Sequence, residues 1–536
     1  MTQPKIERED SLAAPPRLLM FLLLSLLLII ILAVVGALLF VGGDRRIGTV
    51  VPYAAGAFAI LALGTIVAAI LLRHDLPRRF WLWVTGFWTV LAIVGGLAGV
   101  FVFRDALPPR YQEQMLTYVP ALRALMPPTP EGGAVPTVAV TSAISPDQLL
   151  AMPLLGGSET ATSPALVEVT LPPEETTAPT STPTPSPTLA ATEAAAVPTA
   201  APTIDAVAFP TTSPDEALAA SLPSSAHIYG LRSEMPQAWN NCGPANITQA
   251  LSFYGWQEDQ KYAASYIRPN QEDKNVNPGE LVNFVNNETG VRAITRIGGD
   301  MTLLKAFLAG NFPVLIETTF TPEGYDWIGH YQTLVGYDDA AGSFYVYDTY
   351  LGTGDGNGLP EAYSQFDRDW QAFNRTFIVV YDEAREAVVQ QILGDRADLT
   401  LAAEQALEVA RTEARQDPQN PFAWFNMGTA LNKLGRFEEA AAAFDQAINK
   451  QLPFRMLWYQ FGPFEAYFNV GRYADVLSLA QNNLTSGADL VEETHYWMGR
   501  VYEAQGEAGE AMAAYQRALA NNPLFSPARE ALDQLS

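Results

Sequence analysis

From residue 127 to 225 the chain holds no lysine or arginine and is dominated by Thr, Pro, Ser and Ala, as in the run TSTPTPSPT at 180–188. Such a stretch cannot bury enough apolar surface to offset the entropy of ordering it. It predicts a disordered linker and splits the 536-residue chain into two parts that must each find their own environment. As a flexible chain it would span roughly 50–60 Å end to end, and act as a stalk.

The part before the linker contains three apolar runs, 18–41, 50–72 and 80–103, none with a charge. Each is long enough to cross a hydrocarbon core of ~30 Å at 1.5 Å per residue, so three transmembrane helices are expected. The first run is too long for a signal peptide and lacks a cleavage site of small residues before a polar mature region. Trp81, Trp83 and Trp88 suit an interfacial start to the third span. Met115, Tyr118, Val119, Leu122 and Met126 then recur at helical spacing, either as a juxtamembrane helix or as a continuation of the span. Flanking Lys and Arg are almost evenly shared between the two sides, and lean towards a cytoplasmic N-terminus. An exposed Thr/Pro stalk fits the same orientation, with the C-terminal domains extracytoplasmic. Residues 1–126 therefore read as a membrane anchor in a multi-pass membrane protein.

Net charge is -25, which excludes nucleic acid as a partner because a phosphate backbone needs a basic face. Cys242 is the only cysteine, which rules out an intrachain disulfide and any zinc site built on several thiolates. No Gly-Lys pair occurs, hence no phosphate-binding loop and no nucleotide site. No cofactor and no metal are expected. The glycine-rich run at 352–358 holds Asp355 and Asn357 but lacks the further carboxylates of a calcium loop.

Beyond the linker, residues 226–394 predict an α+β domain. Helices are expected at 243–254, from the capping box at Asn277 and Glu280, and at 301–309 behind Asp300. Strands follow at 313–318, 331–337, 344–347 and 376–381. Residues 400–536 are Ala-rich and helical with a period of about 35, marked by Gly435, Gly471 and Gly506. Trp424, Met427 and Gly428 open one unit; Met498, Gly499 and Tyr502 fill matching places in another. This resembles the tetratricopeptide repeat, an all-α solenoid, with Phe464 standing where the middle unit should have glycine. Residues 401–416 look like a partial leading helix. The repeats would offer either a concave protein-binding surface or a spacer or dimerisation element.

Residues 237–246 read Gln-Ala-Trp-Asn-Asn-Cys-Gly-Pro-Ala-Asn. Cys242 thus stands at a helix N-terminus, where the dipole and free N–H groups favour thiolate. Its own N–H and the Gln237 amide are candidate oxyanion donors. A base is also needed. His330 opens one strand and Asp348 ends the next, so a hairpin centred on 339–340 would set them opposite each other. Asp348 could then orient His330 towards Cys242. Asp338 and Asp339 are rival orienters but lie in the turn. His74, His227 and His495 fall outside this arrangement. Trp239, Trp256, Trp327 and Trp370 could line a cleft, although core packing is their ordinary use.

These residues resemble cysteine peptidase family 39, the bacteriocin-processing endopeptidases of the papain clan, and especially its stand-alone relatives. The likeness covers 226–394 and rests on Gln237, Cys242-Gly243-Pro244-Ala245, Tyr254-Gly255, Gly329-His330, Gly336-Tyr337-Asp338 and Asp348. It implies that Cys242 attacks, His330 is the base, Asp348 orients it and Gln237 lines the oxyanion hole. Thr349 follows Asp348 where such proteins often carry Pro, and the ATP-driven exporter of the best-known members is missing. The expectation is a tethered cysteine peptidase or amide hydrolase with a peptide or protein substrate, whose repeats bind a protein partner. A non-catalytic scaffold on the same fold, and an acyl transferase using the same residues, are the alternatives.

Overall fold

The computed structural model describes residues 142–151, 221–321 and 326–535, with scattered positions before residue 137. The three apolar runs, the 115–126 segment and most of the linker lie outside the described residues, single positions apart. Among the described residues no helix is long and apolar enough to cross a membrane.

Residues 225–381 build one antiparallel seven-stranded sheet. Its strands are β1 (Ser225–His227), β2 (Arg292–Arg296), β3 (Val314–Phe320), β4 (Ile328–Asp338), β5 (Ser343–Tyr347), β6 (Leu359–Ala362) and β7 (Phe377–Tyr381). The order is β2-β7-β3-β4-β5-β6, with β1 paired to the far end of β4. The four expected strands are present. β1, β2 and β6 are additional, short edge strands whose sequences (SAH, RAITR, LPEA) carry no apolar run. Gly336 is required where β1 meets β4, since a Cβ there would lie 2.6 Å from the Ala226 carbonyl.

The helix Cys242–Ser252 runs against the sheet with every residue from Gly243 to Leu251 buried. Ile247, Ala250 and Leu251 pack with Leu281, Phe284, Val285, Leu315 and Val380. Beside it, Pro278–Glu288 begins with the expected capping box, Glu280 accepting from the Asn277 N–H at 2.8 Å. Asp300 caps Met301–Ala309 through the Leu303 N–H. On the opposite face, Phe307, Phe344, Phe366, Trp370 and Phe377 form a second core.

From Leu399 onward the chain is all helical. The pairs Pro421–Lys433 with Phe437–Asn449, Gly462–Asn469 with Tyr473–Ser486, and Glu492–Ala504 with Ala508–Asn521 are three repeat units. Gly435, Gly471 and Gly506 take φ of 70°, 75° and 79° in the turn of each pair, as their spacing predicted. The middle unit departs most. Its first helix is only eight residues long, and an irregular stretch holding the short helix Met456–Tyr459 precedes it.

Two boundaries need correction. Residues 142–151 are not linker. Pro146–Ala151 is a helix whose Leu149 is 1% exposed within the repeat core. Ser145 and Gln148 cap each other reciprocally, Ser142 N–H donates to Asp445, and Arg415 donates to the Leu150 carbonyl at 2.6 Å. Ile144, Leu149 and Leu150 supply the apolar face that the average composition of 127–225 conceals. At the other end, β1 begins one residue inside the expected linker.

The sheet and the repeats also do not stand apart as two beads. Ala372 and Phe373 share one core with Leu407, Trp424 and Met427. Trp327 stacks on Phe373 and on Phe422 of the first repeat, and Arg375 bridges to Glu413 at 2.7 Å. On the far side Asp273 and Glu280 of the sheet domain face Glu492 and Glu493 of the third repeat. Asn275 and Asn277 donate to Glu493, and Asn522 to Glu492. Burial first, and the Glu492 carboxylate second, push the Glu493 carboxyl up from 4.5 to about 8. A carboxyl raised by docking stabilises the docked state fully below its free value and loses that contribution as pH climbs through the raised one. Thermal stability of the full chain should therefore fall between about pH 4.5 and pH 8, and Glu493→Gln should flatten that slope. A pH–Tm profile identical in the variant would contradict this account.

Candidate active site

The loop 236–241 delivers Cys242 to its place. Gln260 holds it, accepting from the Ala238 N–H and the Asn241 amide and donating to the Pro236 carbonyl. The buried Arg268 donates to the Trp239 carbonyl and to Asn241. Asn240 turns the chain at φ 50°, a conformation Asn tolerates better than most residues. Cys242 is then the first residue of its helix, with its N–H free of intrahelical bonding. The thiol is half-buried and lines a pocket with His330, Glu317, Tyr331, Gly329, Asn240, Lys274, Asn275, Val276 and Tyr459.

His330 and Asp348 do meet, but not squarely. The β4–β5 register pairs Thr333 with Tyr347, and a bulge between Leu334 and Gly336 shifts the ladder by one. Continued by one step, Asp348 falls opposite Gln332. The expected pairing of Asp348 with His330 is thus off by two residues: the turn is centred between 340 and 341, later than the expected 339–340, and the bulge recovers one residue of the difference. Asp348 reaches His330 along the diagonal on the same strand face. His330 Nε2 lies 3.0 Å from Asp348 Oδ1. The same oxygen accepts from the N–H groups of Tyr350 and Leu351, while Oδ2 accepts from Gln332 at 3.0 Å. Burial would raise this carboxyl, but His330 and these donors outweigh it and hold it below the ordinary carboxylate range.

With Nε2 engaged, Nδ1 is the nitrogen left for Cys242. Burial opposes a charged ring, yet Asp348 and Cys242 overcome it and raise the His330 pKa to about 10. Burial likewise works against the thiolate. The hydrogen bond and charge of His330, then the N–H groups of Tyr331 and Gly243, outweigh it and bring Cys242 below the usual thiol value. The two shifts act in the direction of a thiolate–imidazolium pair.

Gln237 is buried, and its position is set through Thr349. Its N–H donates to the Thr349 carbonyl, and its Oε1 accepts from Thr349 Oγ1 at 2.9 Å. Thr349, which stood out in the sequence, therefore orients the amide. Gln237 is not among the residues lining the Cys242 pocket. None of the four tryptophans lines it either: Trp370 is core, Trp256 packs on Tyr262 and Phe284, and Trp327 joins the interdomain stack. His227 and His495 bond the Asn357 and Asp489 carbonyls, far from this arrangement in the chain.

Sequence reasoning missed several residues. Gln332, two positions after His330 on one strand face, was available from the period of a strand. Asn246 and Arg268 carried no such signal, nor did Glu317, a buried carboxyl whose burial raises its pKa well above the usual value. Tyr459 and Gln460 come from the repeats.

Residues 230–378 match the model of the Peptidase_C39 like family, and residues 391–455 and 492–525 match tetratricopeptide repeat models. The unmatched stretch between the two repeat matches contains the irregular middle unit. No curated protein matches the chain. Sheet, helix and repeat architecture agree with these matches in order and extent: the chain carries a Peptidase_C39-like domain followed by tetratricopeptide repeats.

Proposed function

We propose that this chain is a membrane-tethered cysteine peptidase. The observation that carries the reading is a thiol at a helix start beside an imidazole whose Nε2 lies 3.0 Å from a buried carboxylate. The Cys242 thiolate attacks an amide carbonyl, and the oxyanion is met by the Cys242 N–H and the Gln237 amide. As the C–N bond breaks, His330 gives its proton to the leaving amine and a thioester remains. His330 then takes a proton from water, the hydroxide attacks the thioester, and the acid product leaves with the thiolate restored. Asp348 holds the ring in orientation throughout. The repeats hold a substrate or partner protein close by and raise its effective concentration.

The tether rests on the three uncharged apolar runs, and the extracytoplasmic placement of 226–536 on the Thr/Pro-rich composition before it. One observation favours the second reading, a non-catalytic scaffold: the Cys242 pocket encloses only about 30 Å³ and one wall is Tyr459 of the repeats.

Cys242→Ala should abolish cleavage of a fluorogenic peptide library, by at least about 10³-fold, with the melting temperature unchanged. Undiminished turnover would remove the nucleophile assignment. Alkylation of Cys242 by iodoacetamide should proceed at neutral pH, because its pKa is lowered, and His330→Ala should move the onset to more alkaline pH. An unmoved profile in His330→Ala would favour the scaffold. Protease added outside intact cells should digest the C-terminal half; protection there, lifted only by lysis, would reverse the orientation.

A further inference from the structure

The repeats touch both lips of the cleft that holds Cys242. On the lip formed by residues 273–277, Lys274 donates to the Gly487 carbonyl and lies over the Trp458 ring at 5.0 Å. Asn275 and Asn277 donate to Glu493 on the same side. On the lip formed by β3 and β4, Arg455 pairs with Asp326 at 3.3 Å and Gln460 donates to the Glu317 carboxyl at 3.3 Å. Between the lips, Tyr459 lies over Gly329, the neighbour of His330: a Cβ there would stand 3.0 Å from the Tyr459 ring. Tyr459 and Cys242 line the same pocket.

A space of about 30 Å³ takes one or two waters, whereas sites for small organic ligands run to about 300–1,000 Å³. That space is too small to seat an extended peptide, and Tyr459 is one of its walls. The residues that block it sit on the irregular stretch before the short first helix of the middle repeat, so the break in the repeat pattern and the obstruction are one feature. It meets the sheet domain through the Arg455–Asp326 pair, through the Tyr459 ring against Phe373 and Trp327, and through the Gln460 hydrogen bond to the buried Glu317, the one of these links that ends on a carboxyl of the Cys242 pocket.

We propose that residues 455–460 are a gate across the cleft, with Tyr459 as its barrier and the Gln460–Glu317 hydrogen bond as its latch. Opening requires the repeats to shift, which couples whatever they bind to access at Cys242. The proposal rests on the reading of Cys242 as a reactive thiol, and is tested separately from it. The full chain is alkylated with iodoacetamide and, in parallel, with iodoacetamidofluorescein, whose bulk cannot pass Tyr459. In the wild type the bulky probe should lag far behind the small one. Tyr459→Ala and, independently, Gln460→Ala should speed the bulky probe by about tenfold, the worth of one such hydrogen bond, while leaving the small probe within about twofold. Gln460→Ala leaves the aromatic stack intact, so a folding defect in Tyr459→Ala would not decide the matter. Equal rates for the bulky probe in wild type and both variants would overturn the gate. The His330→Ala profile judges the thiol's chemistry, and its outcome is distinct from this one.

Discussion

The Asn246 side chain ties together the three chain segments on which the site depends. Its Nδ2 donates to the Tyr331 carbonyl at 2.7 Å, to Thr349 Oγ1 and to the Cys242 carbonyl, and its Oδ1 accepts from Thr333. The helix bearing Cys242, the strand bearing His330 and the turn after Asp348 are thereby fixed by one wholly buried amide. A buried amide with unmet partners costs more than its bonds contribute, so all three segments must arrive together. The thiolate–imidazolium chemistry follows from that placement. A half-ångström loss here would relax the diagonal reach from Asp348 as well, because Thr349 and Asp348 are adjacent.

The second structural principle is the sharing of one core by sheet and repeats. A solenoid whose units contact only their neighbours would leave its first helix open to solvent. Here the sheet domain supplies the missing cap: Gln371 takes bonds from Asn420 and Asn426, and the Ala406 side chain sits where Gly298 leaves room. The cost is a polar interface on the opposite side, where four carboxyls meet. Amides rather than cations meet the two that belong to the repeats, each through Oε1, while each Oε2 is buried without a hydrogen-bond partner.

Much of this was legible in the sequence, and what was not shares a cause. Residue type and order picked out Cys242, His330 and Asp348, because few side chains perform each task and this chain has only four histidines. Glycines at a 35-residue period identified the repeats, because each needs a left-handed turn. Asp348 falls opposite Gln332 rather than His330 because the turn is centred later than expected, and neither that centre nor the bulge leaves a compositional trace. β2, with arginine at both ends, reads as surface until β7 pairs with it. The helix Pro146–Ala151 was hidden inside a low-complexity average, and the docking of the repeats onto the cleft depends on contacts more than a hundred residues apart, as in Gln460 on Glu317. Local patterns encode elements; they do not encode which elements meet.

That docked helix changes what a linker does. Residues 151 and 222 belong to the same compact unit, so the low-complexity stretch between them leaves one body and returns to it. It adds nothing to reach. On the tethered reading, distance from the bilayer is set by the chain before residue 142 and not by the stretch that follows residue 151. A cut anywhere in 153–221 would not simply free the C-terminal half. It would convert a covalent connection into a noncovalent one, held by Leu149, Ser142 and Arg415 against the repeats. Shedding would then be a matter of dissociation rate, adjustable by a six-residue helix.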